Sequence, residues 1–125
     1  ENFDLYQYAR KNVLYIAYIG IYNNRLYFKY GESSSIKRRL RAHRGNFNDF
    51  DFLGVFVCYN SNKVETDFKR YLQGRGCLTN FHKNQEIFKV ENIDALDEIL
   101  QVAESMATEN MQNFIEQFRD MEIGD

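Results

Sequence analysis

The sequence predicts a single α+β domain in which a β-hairpin near the N-terminus is followed by short helices and strands. Residues 13–30 are rich in aromatic and β-branched residues around Asn23-Asn24, a pattern typical of a hairpin. Residues 92–121 keep apolar side chains at helical spacing. A chain of 125 residues with 44% hydrophobic residues fits one domain and can bury a core without a disulfide or a metal.

The hairpin strands are predicted at residues 13–22 and 25–30, because asparagine tolerates the positive φ that a two-residue turn demands. With this turn, residues whose numbers sum to 47 face each other across the strands. That register pairs Tyr18 with Lys29 on a polar face that also carries Arg25. The other face is apolar and is predicted to pack in the core.

The first helix is predicted to begin after residues 33–35, three serines that offer N-caps, and to end at about residue 44. Its apolar stripe turns inward, and Arg39 and His43 lie beside that stripe. We therefore expect these two side chains to border the polar face of the hairpin. The remaining basic side chains of this helix are expected to point outward: Lys37, Arg38, Arg41 and Arg44.

Three further elements follow the first helix. Residues 52–59 form an almost wholly apolar run, typical of a buried strand, and a helix is predicted at 62–72. A loop then leads to a strand candidate at 85–90. Glu65 lies three residues after Asn62, so it is either the acceptor of a capping box or a carboxylate that reaches over the sheet.

The C-terminal residues 93–125 are predicted to form an acidic, amphipathic helical extension of a domain that spans residues 1–92. One continuous helix of that span would be roughly 40 Å long, more than a compact domain of this size can cover. We therefore expect the helix either to break near Thr108 or to project toward a partner. A second copy of the chain or another protein is the expected partner.

The net charge of −2 conceals an uneven distribution of charge. Residues 1–85 hold 14 Lys and Arg against 7 Asp and Glu, whereas residues 86–125 hold 2 against 11. Local charge decides where a polyanion binds. The first half of the chain is therefore predicted to bind a nucleic-acid backbone, and charge does not distinguish DNA from RNA. Five basic residues are assigned to this contact: Arg25, Lys37, Arg38, Arg41 and Arg44.

The cysteines and the hydropathy pattern indicate an intracellular protein of the cytoplasm or nucleus. Cys58 and Cys77 do not form a C-x-x-C pair, which is typical of reduced thiols. No apolar stretch approaches the roughly 20 residues of a membrane span, and no signal-peptide pattern is present, so we expect neither membrane insertion nor secretion. Since the sequence begins at Glu1 without a methionine, we expect it to be part of a longer protein.

The order of the motifs resembles the GIY-YIG nuclease domain. An aromatic strand with "AYIG" is followed by a strand ending in "KYG", then by "SIKRRLRAH", and later by a helix carrying "VETDFK". The spacing of Gly31, Arg39 and His43 matches the glycine, arginine and histidine of that family, and Glu65 matches its helical glutamate. The resemblance covers residues 13–90 and is closest to the branch found in large DNA viruses and phages, which implies a viral protein in a host cell.

The resemblance implies an α/β sandwich with a small three-stranded antiparallel sheet flanked by helices, and an endonuclease that hydrolyses DNA with one divalent metal ion. By position, Tyr18 matches the tyrosine of the first motif, and Lys29 takes the place of the second tyrosine. Tyr15 is the alternative to Tyr18, but the register of the predicted hairpin assigns it to the apolar face.

The resemblance also implies a role for each site residue. Glu65 would hold Mg²⁺ or Mn²⁺, and Arg39 would bind the scissile phosphate. Tyr18 would orient or deprotonate the attacking water with help from Lys29, and His43 would be an acid, a base or a phosphate contact. The alternative function is a catalytically inactive module that retains the fold, binds nucleic acid and recruits a partner through its acidic C-terminal helix.

Overall fold

The computed structural model describes residues 5–45, 47, 49–81 and 84–123. A short 3₁₀ helix (Leu5–Tyr8) precedes the first strand. The five strands are β1 (Val13–Tyr22), β2 (Arg25–Ser33), β3 (Asp51–Val57), β4 (Leu78–Phe81) and β5 (Asn84–Val90). The three α-helices are α1 (Ile36–Arg44), α2 (Ser61–Arg75) and α3 (Ile93–Ile123).

The strands form one antiparallel sheet in the order β3-β1-β2-β5-β4. The prediction of a three-stranded sheet is therefore wrong, because β5 pairs with the free edge of β2 and β4 pairs with β5. β4 lies in the stretch that was predicted to be a loop. Its four residues, "LTNF", place two polar side chains next to each other, so they lack the alternation of apolar and polar side chains that marks a strand.

The sheet is covered on both faces, which produces two hydrophobic clusters. On one face, α2 and α3 pack against alternate residues of the central strands, with Phe68 and Ile99 fully buried among them. On the other face, α1 contributes Ile36, and the segment before β3 contributes Phe47 and Phe50. Alternate residues of a strand point to opposite faces, so the register of each strand decides which side chains meet each helix.

The predicted register of the hairpin is wrong over most of its length. The turn at Asn23 and Asn24 has the expected positive φ angles, 52° and 62°, and Tyr22 pairs with Arg25 as predicted. Between Tyr18 and Gly20, however, the register shifts by one residue at a β-bulge. Beyond the bulge the paired residue numbers sum to 46, so Tyr18 faces Phe28 and not Lys29.

The bulge exchanges the two faces of the first half of β1. Lys29 pairs with Ala17, and Gly31 pairs with Tyr15. Tyr15 therefore shares a face of the sheet with Lys29, whereas Tyr18 packs against the cluster beneath α2 and α3. This exchange determines which tyrosine can reach the first helix.

α2 and α3 differ from their predicted forms. The N-cap of α2 is Asn60, whose side chain accepts a hydrogen bond from the amide of Lys63 at 3.1 Å, so a capping box between Asn62 and Glu65 does not form. α3 is a single helix, and the predicted break near Thr108 is absent. None of the helices in the described part of the chain is both long enough and apolar enough to cross a bilayer.

The first half of α3 packs on its own domain, as expected, and the second half becomes progressively exposed. Ala103 and Ala107 are buried, and Tyr59 stacks on Phe114 with ring centroids 3.8 Å apart. Further along the helix, Phe118 is 56% exposed. The terminal turns of α3 therefore extend past the sheet.

Candidate active site

The candidate site lies where β2 continues beyond its pairing with β5. The last described pair between these strands is Lys29 with Ile87, whereas β2 continues to Ser33. Side chains from β1, α1, α2 and β5 meet around this free stretch of β2. The site therefore forms at a gap in the sheet, next to the N-terminus of α1.

The centre of the site is a buried hydrogen bond between Tyr15 on β1 and His43 on α1. Tyr15 Oη and His43 Nε2 are 2.7 Å apart. Gly31 makes this contact possible, because a Cβ atom at that position would lie 2.5 Å from Tyr15 Oη and 2.8 Å from Cζ. The glycine that the sequence pattern singles out is thus required by the tyrosine ring that lies against it.

His43 is held among aromatic rings and is neutral at pH 7. It stacks on Phe50 with centroids 5.1 Å apart and is only 8% exposed. Burial, followed by the positive charges of Lys29 and Arg39, lowers the pKa of His43 from its ordinary 6.5 to about 4. Burial also raises the pKa of Tyr15 well above its ordinary value, so the phenol remains protonated. The neutral imidazole can accept the phenolic proton.

Lys29 is buried and is held by an ion pair with Glu86 of β5. Its Nζ atom donates to Glu86 Oε1 at 2.6 Å and to the carbonyl oxygen of Tyr30 at 3.0 Å. The lysine side chain is 6% exposed and that of Glu86 is 42% exposed. A buried ammonium needs such a partner, so Glu86 fixes the position of Lys29.

Glu65 extends from α2 to the same place and forms a hydrogen bond with Glu86. Burial, together with the nearby negative charges of Glu86 and Glu32, raises the pKa of Glu65 from its ordinary 4.5 to about 7. Burial acts on Glu86 as well, but the hydrogen bond and charge of Lys29 outweigh it and lower the pKa of Glu86. The two carboxyl groups therefore share a proton near neutral pH.

Arg39 lies at the exposed side of this cluster. It lines a cavity of about 310 Å³ together with Glu32, Arg38 and the serine loop at 33–35. It lies one helical turn before His43 on α1, and its positive charge acts on both Tyr15 and His43. Within the described residues its guanidinium group has no hydrogen-bond or ion-pair partner, so it is available to an anion.

Four of the five residues predicted to be catalytic come together here: Lys29, Arg39, His43 and Glu65. Tyr18 does not join them, because it lies on the opposite face of β1. Arg25, predicted to bind nucleic acid, lies at the far end of β2 and pairs with Glu91 at 3.2 Å. The other four predicted nucleic-acid contacts are exposed on α1, as expected: Lys37, Arg38, Arg41 and Arg44.

Two members of the cluster are not among the residues predicted to be catalytic. Tyr15 was assigned to the core because the bulge was not foreseen, although a glycine inside a strand, Gly20, is a known sign of one. Glu86 is not among the predicted site residues, since its partner Lys29 is 57 positions away in the chain. No local pattern reveals such a contact.

In the part of the chain that the structure describes, Glu65 and Glu86 are the two carboxylates that the cluster can offer to a cation. Among the described residues, no group of three or more His, Cys, Asp or Glu side chains is arranged to hold a metal ion. Mg²⁺ commonly binds proteins through one or two carboxylates and keeps several of its waters. Glu65 and Glu86 therefore suit a hydrated divalent cation better than a fully enclosed one.

Comparison with known proteins identifies the family of the chain. Neither curated proteins nor solved structures give a match. A family model, that of the T5orf172 domain, matches residues 12–107, which include every member of the cluster. Because this match covers well over half of the sequence, the chain belongs to the T5orf172 domain family.

Proposed function

We propose that this protein is a divalent-metal-dependent endonuclease that hydrolyses phosphodiester bonds of DNA through a site of the GIY-YIG type. The observation that carries the proposal is the convergence of a phenol, an imidazole, an ammonium, a guanidinium and a carboxyl group around one gap in the sheet. The reaction needs a group that takes a proton from water, a clamp for the phosphate and a stabiliser for the leaving oxygen. Each of these can be assigned.

Arg39 is the phosphate clamp in this proposal. A guanidinium fork can donate two parallel hydrogen bonds to phosphate oxygens, and that of Arg39 is exposed at a cavity large enough for a phosphate group. As negative charge develops on the phosphorus-bound oxygens, the fixed positive charge of Arg39 stabilises it. Lys29 adds a second fixed positive charge, held in place by Glu86.

Tyr15, and not Tyr18, is the group that receives the proton of the attacking water. Its phenol is protonated, so it can accept a proton only by passing on its own. The neutral His43 nitrogen, 2.7 Å from Tyr15 Oη, is the acceptor. The water proton moves to Tyr15 Oη while the phenolic proton moves to His43 Nε2, and both transfers follow hydrogen bonds.

Glu65 would hold the Mg²⁺ or Mn²⁺ ion. Its half-buried carboxyl group lies beside that of Glu86, and two negative charges so close together repel each other. A proton on Glu65 relieves this repulsion, and a bound cation would relieve it as well. When bound, the ion would supply positive charge at the leaving oxygen. The exposed cations of α1 flank this site and would hold the DNA backbone without reading its sequence.

The test is nicking of supercoiled plasmid DNA by the purified chain with Mg²⁺ or Mn²⁺. Glu65→Gln and Arg39→Ala should each reduce the nicking rate by about 100-fold or more. Arg119→Ala is the matched control, because it removes an exposed arginine from the distal end of α3 and should leave the rate unchanged. Unchanged nicking by the Glu65 and Arg39 variants would refute the assigned roles.

The exposed cations of α1 also support the alternative, a non-catalytic module that binds nucleic acid. They attract a phosphate backbone whether or not the site cleaves it. In that case salt-sensitive DNA binding would survive Glu65→Gln, and no divalent metal ion would produce nicking. Binding and nicking measured on the same preparations therefore separate the two functions.

A further inference from the structure

Glu86 does more in this fold than neutralise a lysine. It lies on β5 one residue before Ile87, the partner of Lys29 across the strands. Its Oε1 atom accepts the hydrogen bond of Lys29 at 2.6 Å, and its carboxyl group also contacts that of Glu65 on α2. Because the ammonium group of Lys29 lies at Oε1 and would repel a cation there, we expect a cation to bind Glu86 through Oε2.

Tyr30 provides an independent sign that a polar ligand belongs between the two carboxyl groups. Its side chain is fully buried, and Tyr30 Oη has no hydrogen-bond partner among the described residues. An unsatisfied buried hydroxyl costs about 1–3 kcal/mol, so such a group in a native protein requires an explanation.

The Tyr30 ring packs against residues that follow Glu65 on α2 and Glu86 on β5. The ring makes an edge contact with Phe68 at 5.6 Å and a tilted contact with Phe88 at 6.3 Å. Glu65 lies one helical turn before Phe68 on α2, and Glu86 lies two residues before Phe88 on the same face of β5. The negative charges of both carboxyl groups act on the phenol, which agrees with this position.

We propose that Glu86 is the second carboxylate ligand of a divalent-cation site that it shares with Glu65, and that Tyr30 Oη forms a hydrogen bond with a water molecule of that cation. This inference rests on the proposed function, since it extends the metal site assigned there to Glu65. Glu65 and Glu86 bring two carboxyl groups against the single ammonium group of Lys29, a balance that favours a hydrated divalent cation between them. Lys29 restricts Glu86 to binding the cation through one oxygen.

The experiment measures the binding of Mn²⁺ to the full chain without DNA, by titration followed by the electron paramagnetic resonance of free Mn²⁺. Glu65→Gln and Glu86→Gln should each raise the dissociation constant by at least about tenfold, because each removes a charged ligand and preserves the shape of the side chain. Tyr30→Phe should raise it by about two- to fivefold. Glu98→Gln is the control: it removes an exposed carboxylate that pairs with Arg75 and should leave binding unchanged.

A dissociation constant for Glu86→Gln equal to that of the parent protein would overturn the inference, because Glu86 would then serve Lys29 alone. A second measurement on the unmutated chain covers the case in which this variant fails to fold. Bound Mn²⁺ should broaden the amide NMR resonances of Glu65 and Glu86 before that of Glu98. Broadening at Glu65 without broadening at Glu86 would also overturn the inference.

The binding data also separate this inference from the proposed function. If Mn²⁺ binding requires both carboxylates but the parent protein does not nick DNA, the inference stands and the nuclease proposal fails. If the parent protein nicks DNA but binds Mn²⁺ independently of Glu86, the nuclease proposal stands and the inference fails.

Discussion

Replacing Tyr15 by phenylalanine tests the reassignment of the catalytic tyrosine, and its effect on stability follows from one hydrogen bond. The change deletes the hydroxyl group that lies 2.7 Å from His43 Nε2 and keeps the ring, which makes an edge contact with Phe52 at 5.6 Å. The buried imidazole nitrogen loses its partner, which costs about 1–3 kcal/mol. For a domain of this size we expect the melting temperature to fall by roughly 3–10 °C.

The same substitution should affect catalysis far more than stability. A positioned group that transfers a proton contributes about 10²–10⁴-fold to a rate, so we expect nicking by Tyr15→Phe to fall at least 100-fold at a temperature where the variant is folded. Tyr18→Phe is the matched control. Tyr18 packs against Phe28 on the other face of β1, so its loss should change the free energy of unfolding by less than about 0.5 kcal/mol and leave the rate within about twofold.

The assay is single-turnover nicking of supercoiled plasmid with Mn²⁺, and folding is checked by circular dichroism. If Tyr18→Phe abolishes nicking while Tyr15→Phe retains it, the reasoning from the bulge and the register of β1 is refuted. If both variants nick DNA at the rate of the parent protein, neither phenol takes part in proton transfer.

Three further predictions concern the same cluster. Gly31→Ala places a Cβ atom 2.5 Å from the present position of Tyr15 Oη, so the ring must move, and nicking should fall at least about tenfold; full activity would contradict the packing argument. Glu65 has a pKa of about 7 in the folded protein, against an ordinary 4.5. Between pH 4.5 and 7 the folded state therefore holds a proton that the unfolded chain has lost, so the free energy of unfolding falls as the pH rises through this range. Glu65→Gln removes this pH dependence, so the free energy of unfolding of the variant, measured with urea, should rise relative to that of the parent protein by about 1–2 kcal/mol between pH 4.5 and 7, after allowance for solvent screening. The lowered pKa of His43 has the opposite effect on stability, but it is present in both proteins and cancels. Lys29→Met breaks the buried ion pair and should lower the free energy of unfolding by about 1–3 kcal/mol in the same assay; unchanged stability would mean that the pair contributes nothing to the fold.

The parts of the fold that depend on local chemistry could be predicted from the sequence. The hairpin turn follows from two asparagines that tolerate positive φ, and β1 has the predicted bounds. α2 was predicted to end at residue 72 and ends at Arg75, where Gly76 adopts a left-handed conformation with φ of 72°. The close spacing of Arg39 and His43 on α1 likewise follows from helical geometry, and both side chains belong to the site.

The parts that depend on contacts distant in the chain could not be predicted in this way. β5 joins the sheet at the free edge of β2, and β4 joins it at the free edge of β5. The bulge in β1 inverted the assignment of every side chain beyond it, so one unforeseen residue was enough to exchange Tyr15 and Tyr18. α3 continues without a break because Tyr59 and Phe114 stack and because Asn110 accepts hydrogen bonds from the amides of Tyr59 and Asn60.

The most direct test of the central claim is a crystal structure of the chain with Mn²⁺ and a short DNA duplex, with anomalous diffraction used to locate the ion. We predict an anomalous peak at a metal–oxygen distance of about 2.1 Å from Glu65, with a DNA phosphate bound to Arg39 and facing Tyr15. An ion bound elsewhere, with the phosphate remote from Arg39 and Tyr15, would contradict the claim that these side chains form one catalytic site.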